Sequence, residues 1–109
     1  MEFKTFDFHP FVEAGVKAAG YITPTPIQQR AIPLLLNGRD IMGLAQTGTG
    51  KTAAFVLPIL HRLIQEGGRR HVRTLVIAPT RELAEQIHEA IRSLGGRTGI
   101  RSVTVYGGV

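Results

Sequence analysis

The chain has 109 residues, of which 43% are hydrophobic and 19% charged; this excludes a disordered tail or a fibrous repeat and leaves room for a single domain. Thirteen Lys and Arg face eight Asp and Glu, a net charge of +5, and residues 61–109 hold four of those five charges, so an anionic partner is worth seeking on that half. There is no Cys, and His9, His61, His71 and His88 stand far apart, which excludes a disulfide framework and argues against a clustered metal site.

In chain order, the first helix is expected from Pro10 to Ala19, closed by Gly20. A second begins at Pro26, with Thr25 as N-cap, Pro26 at the first helical position and Gln28 three residues after the cap, as a capping box requires. Pro33 is expected to interrupt it. Asp40 to Ala45 is near-continuously apolar after its first residue and suits a strand covered on both faces. Thr52 to Ile64 has helical spacing around Pro58, where a bend is expected. The stretch Gln65 to Arg70 suits a surface loop, and Arg73 to Ala78 a second buried strand. Leu83, Ile87, Ala90, Ile91 and Leu94 then recur at intervals of three and four, marking an amphipathic helix ended by Gly95 and Gly96. Arg101 to Tyr106 is the third expected strand.

Strands separated by helical crossovers imply parallel, right-handed connections and a three-layer α/β/α sandwich, a parallel sheet flanked by helices. On this pattern residues 1–38 are a helical segment and 39–109 a strand-helix-strand-helix-strand core. A three-stranded parallel sheet would leave an open edge, so the chain is expected to be cut from something longer. The longest apolar run, Ala53 to Leu60, contains Pro58 and falls far short of the roughly 20 residues a membrane span needs. Met1 to Lys4 lack a basic patch leading into an apolar stretch, so no signal peptide is expected and the compartment expected is the cytoplasm.

The chemistry concentrates at Ala45-Gln46-Thr47-Gly48-Thr49-Gly50-Lys51-Thr52, between an expected strand and an expected helix. This is the pattern of a phosphate-binding loop, with Ala45 in place of the usual first Gly. Gly48 and Gly50 let successive backbone N–H groups converge on an anion, and the helix starting there adds its positive dipole end. Lys51 would reach the β- and γ-phosphates and the Thr52 hydroxyl would ligate Mg²⁺, which makes these two the expected catalytic pair for a bound ATP.

Upstream, Gly20-Tyr21-Ile22-Thr23-Pro24-Thr25-Pro26-Ile27-Gln28 resembles the adenine-reading Q motif of DEAD-box RNA helicases, and Phe3 stands seventeen positions before Gly20, where that family carries an isolated aromatic. The resemblance implies that Phe3, Tyr21, Thr23 and Gln28 bind the nucleotide, with Phe3 stacked on the adenine. A Gln amide can donate to adenine N7 and accept from N6–H, whereas guanine presents O6 at that edge, so ATP is expected over GTP. Ala78-Pro79-Thr80-Arg81-Glu82-Leu83-Ala84 matches the family's motif Ia and Tyr106-Gly107-Gly108 resembles its GG motif. The resemblance implies that Pro79, Thr80, Arg81, Gly107 and Gly108 touch the RNA backbone. The tail glycines alone would mark only a turn.

The resemblance runs from Phe3 to Gly108 and implies the N-terminal part of a RecA-like P-loop NTPase domain, preceded by a helical Q-motif segment, in a monomeric helicase. The Asp-Glu-Ala-Asp segment, the Ser-Ala-Thr motif and the second RecA-like domain are not in this sequence. Hydrolysis needs carboxylates at strand ends, and those after Lys51, namely Glu66, Glu82, Glu85 and Glu89, fall in a loop and a helix, so the 109 residues alone are expected to be inactive. Two other readings stay open: a non-catalytic RNA-binding or regulatory module that keeps a nucleotide cradle, and an unrelated phosphate-loop ATPase.

Overall fold

The computed structural model describes residues 1–44, 50–67 and 71–107. A 3-10 turn, Phe3–Phe6, leads into helices α1 (Pro10–Ala18), α2 (Pro26–Leu36), α3 (Lys51–Glu66) and α4 (Arg81–Leu94). The second helix begins where its capping box requires: Thr25 Oγ1 accepts a long bond from Gln28 N at 3.5 Å while Gln28 Oε1 accepts from Thr25 N at 2.9 Å. The first helix ends in a left-handed turn at Gly20, φ +77°, where Gly20 N donates to Lys17 O and Tyr21 N to Val16 O, the paired bonds of a Schellman cap. Thr80 caps α4 through Leu83 N.

One expectation about proline needs correcting. Pro33 does not interrupt α2, and α3 likewise continues as helix on both sides of Pro58, the site of the expected bend. A proline removes one N–H and crowds the preceding turn, but Pro58 is buried among Ala54, Val56, Leu57 and Leu60, and Ala31 and Ile32 anchor α2 beside Pro33. Burial on this scale outweighs one lost backbone bond. The helix over residues 52–64 also extends by a residue at its start and two at its end.

Helix α3 is the hub, packed on α2, α4 and α1, while α1 also crosses α4. The core gathers Phe3, Phe6, Phe8, Val12, Val16, Ile32, Ala53, Val56, Leu57, Leu60 and Leu94. At the α1–α4 crossing a Cβ on Gly15 would collide with the Leu94 backbone carbonyl, so the two helices meet backbone to side-chain-free backbone. Gly95 ends α4 as expected, but with φ −99° rather than a left-handed turn; its lack of a side chain makes room for Leu60, whose methyl carbons lie 3.0 and 3.2 Å from where a Cβ would stand.

The three expected strands are not assigned as paired strands among the described residues. Exposure nevertheless alternates along them: Ile41 is 38% exposed and Met42 91%, Val76 is 37% exposed between Leu75 at 79% and Ile77 at 85%, and Val103 and Val105 exceed 80% while Ser102 and Thr104 are half-buried. Alternation of this kind is the side-chain period of extended chain, one face more covered than the other.

Two histidines lock the N-terminal stretch to α3. His9 is the N-cap of α1, its Nδ1 accepting from Phe11 N at 3.1 Å, and its own N–H donates to His61 Nδ1 at 2.9 Å. Each Nδ1 serves as an acceptor only in the neutral ring. Burial, and secondarily the nearby His9, lower the His61 pKa from its ordinary value near 6.5 against a smaller raising effect of Asp7. The unfolded chain therefore takes up the proton first as pH falls, so this contribution is complete above about pH 6.5 and is lost as pH drops through the lowered folded value. The melting temperature is expected to fall below that pH, and less so in His61→Asn, whose Oδ1 accepts without titrating. Identical pH profiles would contradict the assignment. No helix among the described residues is long and apolar enough to cross a membrane.

Candidate nucleotide and nucleic-acid sites

The phosphate-loop residues Ala45, Gln46, Thr47, Gly48 and Thr49 lie outside the described residues, and the site is built from what flanks them. Gly50 is the N-cap of α3 at φ +84°, a backbone conformation that favours glycine, and Lys51 and Thr52 open the first turn, Lys51 exposed and Thr52 half-buried. The N-terminal N–H groups of α3 have no intrahelical partner and carry the positive end of the helix dipole.

Gln28 joins this end of α3 to the Q-motif segment. It is 3% exposed, and its Nε2 donates to Gly50 O at 3.1 Å while its Oε1 is held by Thr25 N. A Cβ at Gly50 would run into Gln28 Nε2 and come within 3.2 Å of Thr25 Oγ1. Two residues 22 positions apart are thus brought together, and the space between them is one that a side chain at position 50 would fill. The amide that was expected to face a purine is engaged with the protein at both ends.

Phe3 is also engaged. It is 3% exposed, its ring 5.7 Å from Phe6 edge-on and 5.4 Å from Tyr21, and its N–H donates to Ile22 O at 2.8 Å. Tyr21, 39% exposed, is the partner in that aromatic pair with surface left for a ligand, and Thr23 is exposed beside it. The aromatic, the Q-motif segment and the start of α3 are therefore continuous in space, through Phe3–Tyr21, Phe3–Ile22 and Gln28–Gly50. Among the described residues no three His, Asp or Glu side chains gather to hold a metal ion.

A cavity of about 380 Å³ lies elsewhere, lined by Leu35, Leu36, Gly38, His61, Arg62 and Glu66 among others. It sits against the later turns of α3, away from Gly50 and Lys51, and is not the nucleotide site.

At the second site, Pro79, Thr80 and Arg81 are exposed at the start of α4. Arg81 Nη2 donates to Gly107 O at 3.1 Å, and its guanidinium carbon lies 5.1 Å from the centroid of the Tyr106 ring. The two motifs expected to meet an RNA backbone are thus adjacent, as far as Gly107; Gly108 lies outside the described residues. Arg73, one of the basic residues of the second half, has another use: its guanidinium donates to Gly67 O at 2.6 Å and Leu63 O at 3.2 Å, capping the C-terminal end of α3. Arg69 and Arg70 are outside the described residues. Sequence reasoning missed Arg73's capping, which carries no motif, and the His9–His61 lock, whose partners stand 52 positions apart.

In fold the chain matches solved RNA helicases. It superposes on the RNA helicase Prp28 from Chaetomium thermophilum bound to ADP with a TM-score of 0.87 and 39% identity, over 99% of this chain and 27% of that one. The chain belongs to the DEAD/DEAH box helicase family, whose model matches residues 25–109. It is 52% identical over 90 residues to the ATP-dependent rRNA helicase rrp3 of Aspergillus terreus, covering 83% of this chain and 20% of that protein. It is 44% identical over its whole length to the ATP-dependent RNA helicase RhlB of Xanthomonas campestris, again covering 20% of the relative. The chain spans about a fifth of the length of the curated relatives it matches.

Proposed function

We propose that this chain is the nucleotide-gripping and first RNA-contacting part of an ATP-dependent RNA helicase. Residues 1–38 carry the Q-motif segment and 39–109 the start of a RecA-like core, with the alternating runs at 40–45, 73–78 and 101–106 as parallel strands of a three-layer sandwich. ATP is held by backbone amides of residues 45–50, by Lys51 on its β- and γ-phosphates and by Mg²⁺ on the Thr52 hydroxyl; Gln28 with Tyr21, Thr23 and Phe3 recognises the adenine. The Mg²⁺ supplies charge neutralisation at the phosphates. Thr80, Arg81, Pro79, Gly107 and Gly108 meet RNA phosphates, without reading bases. With no carboxylate after Lys51 at the end of one of these strands, ATP binding is weak and turnover negligible in these 109 residues.

The observation that carries this reading is the Gln28–Gly50 contact, which ties the residue proposed to read the purine to the Gly50 carbonyl at the head of α3. The same contact lends some support to a second reading. A glutamine satisfied at both ends suits a cradle kept for structure, in a non-catalytic RNA-binding module. Calorimetry separates them. On the first reading ATP binds about tenfold or more tighter than GTP, the worth of one good bidentate amide–adenine pair, and Gln28→Ala erases that preference. RNA binding with no heat from either nucleotide would leave the module standing instead. RNA affinity should fall steeply with added salt, with little dependence on sequence.

A further inference from the structure

Helix α4 and the run that follows it form a polar seam. Arg81, Glu85 and His88 stand four and three apart and share one face of the helix, while Ser102, Thr104 and Tyr106 alternate along extended chain and share one of its faces. The two rows meet in register. His88 Nδ1 lies 2.6 Å from Ser102 Oγ, Thr104 Oγ1 donates to Glu85 Oε1 at 2.9 Å, and the Tyr106 hydroxyl reaches the same carboxylate oxygen at 3.5 Å. At the end of the seam the Tyr106 ring stands against Arg81, and the Gly107 carbonyl accepts from Nη2.

An exposed arginine on four rotatable bonds loses much conformational freedom when a ligand fixes it. Here the freedom is already reduced. A guanidinium held over an aromatic ring is restrained while its remaining N–H groups stay free for a ligand, and among the described residues one of the five has a protein acceptor. We propose that Tyr106 is a positioning residue for RNA binding: with the Gly107 carbonyl as second anchor, its ring holds the Arg81 guanidinium so that the open edge meets a backbone phosphate. The inference rests on the reading that Arg81 contacts phosphate. Pre-organisation of a contacting side chain raises affinity by reducing what binding must freeze.

The test is fluorescence anisotropy of a labelled ten-nucleotide oligouridylate against the whole chain at several salt concentrations. Tyr106→Leu is expected to weaken binding about three- to fivefold, the range of an exposed cation–π contact, and Tyr106→Phe, which keeps the ring, to stay within about twofold. Arg81→Ala weakens binding further and lowers the salt slope by about one. Because Tyr106 acts through Arg81, the double variant Arg81→Ala/Tyr106→Leu binds no more weakly than Arg81→Ala alone. Full affinity in Tyr106→Leu, or losses that add in the double variant, overturns the positioning role while leaving Arg81 as a contact. An Arg81→Ala variant with unchanged affinity and slope, or an unmodified chain that does not bind, overturns the phosphate contact itself and the positioning role with it. A readout without RNA stands beside these: the Arg81 side-chain proton resonances, shifted upfield by the ring, move in Tyr106→Leu and hold in Tyr106→Phe, and resonances indifferent to both changes contradict the stack.

Discussion

Lys51→Ala is expected to lower ATP affinity about a hundredfold, below what calorimetry detects for binding that is already weak, and to leave the fold intact. Lys51 is the first residue of α3 and is exposed, and among the described residues no carboxylate pairs with it. Removing such a side chain changes stability by about 0.5 kcal/mol or less. A cation there is slightly unfavourable to the helix itself, because it stands at the positive end of the dipole. On the proposed function its use is toward an anion from outside. A charge-assisted bond to phosphate is worth about 3 kcal/mol, which is the hundredfold quoted. ATP affinity within threefold of the unmodified chain would show that the lysine does not reach the phosphates.

Gly15→Ala is expected to have the largest effect on stability of any change considered. Val12 and Val16 on the same face are buried apolar side chains, but a Cβ at Gly15 falls on the backbone carbonyl of Leu94, which cannot rotate aside as a side chain would. Either α1 and α4 separate or the last turn of α4 distorts, and both loosen Val12, Val16 and Leu94 in the core. Overpacking of this kind costs about 3 kcal/mol, and the better helix propensity of alanine returns about 1. A net loss of about 2 kcal/mol lowers the melting temperature by roughly 10 °C in a domain of this size. A variant as stable as the parent would mean that the α1–α4 crossing is not as close as described.

Much of the helical architecture was legible because its signals are local. Thr25, Pro26 and Gln28 mark the entry of α2 within four residues, Gly20 closes α1, and the spacing of Leu83, Ile87 and Leu94 marks α4. The interruption expected at Pro33 fails because propensity is also local, whereas what α2 packs against is decided by the fold. The strand stretches show the limit of periodicity: continuous apolar composition pointed to two covered faces, while their exposure follows a two-residue alternation with one face more covered than the other.

For the candidate sites the sequence names residues but not their contacts. Motif spacing could single out Gln28 and the phosphate loop separately, but not the bond across 22 positions that joins Gln28 to Gly50. It gave Phe3 a place against a purine, and the structure has that ring buried against Phe6 and Tyr21. It marked Arg81 as an RNA contact and set Arg73 at the head of an expected strand, with no sign that one leans on Tyr106 and the other caps α3. Charge is countable in a sequence, but its partner belongs to the fold.

The most direct measurement follows the Gln28 side-chain amide in a nitrogen-edited NMR titration with ATP and Mg²⁺. Saturable shifts of both Nε2 protons, together with the backbone amides of residues 48–52, and much smaller side-chain shifts with GTP, are the predicted result. A Gln28 amide that stays still while ATP saturates those backbone amides, or a spectrum that ATP does not change at all, would contradict the claim that this glutamine reads the base of a nucleotide held at the head of α3.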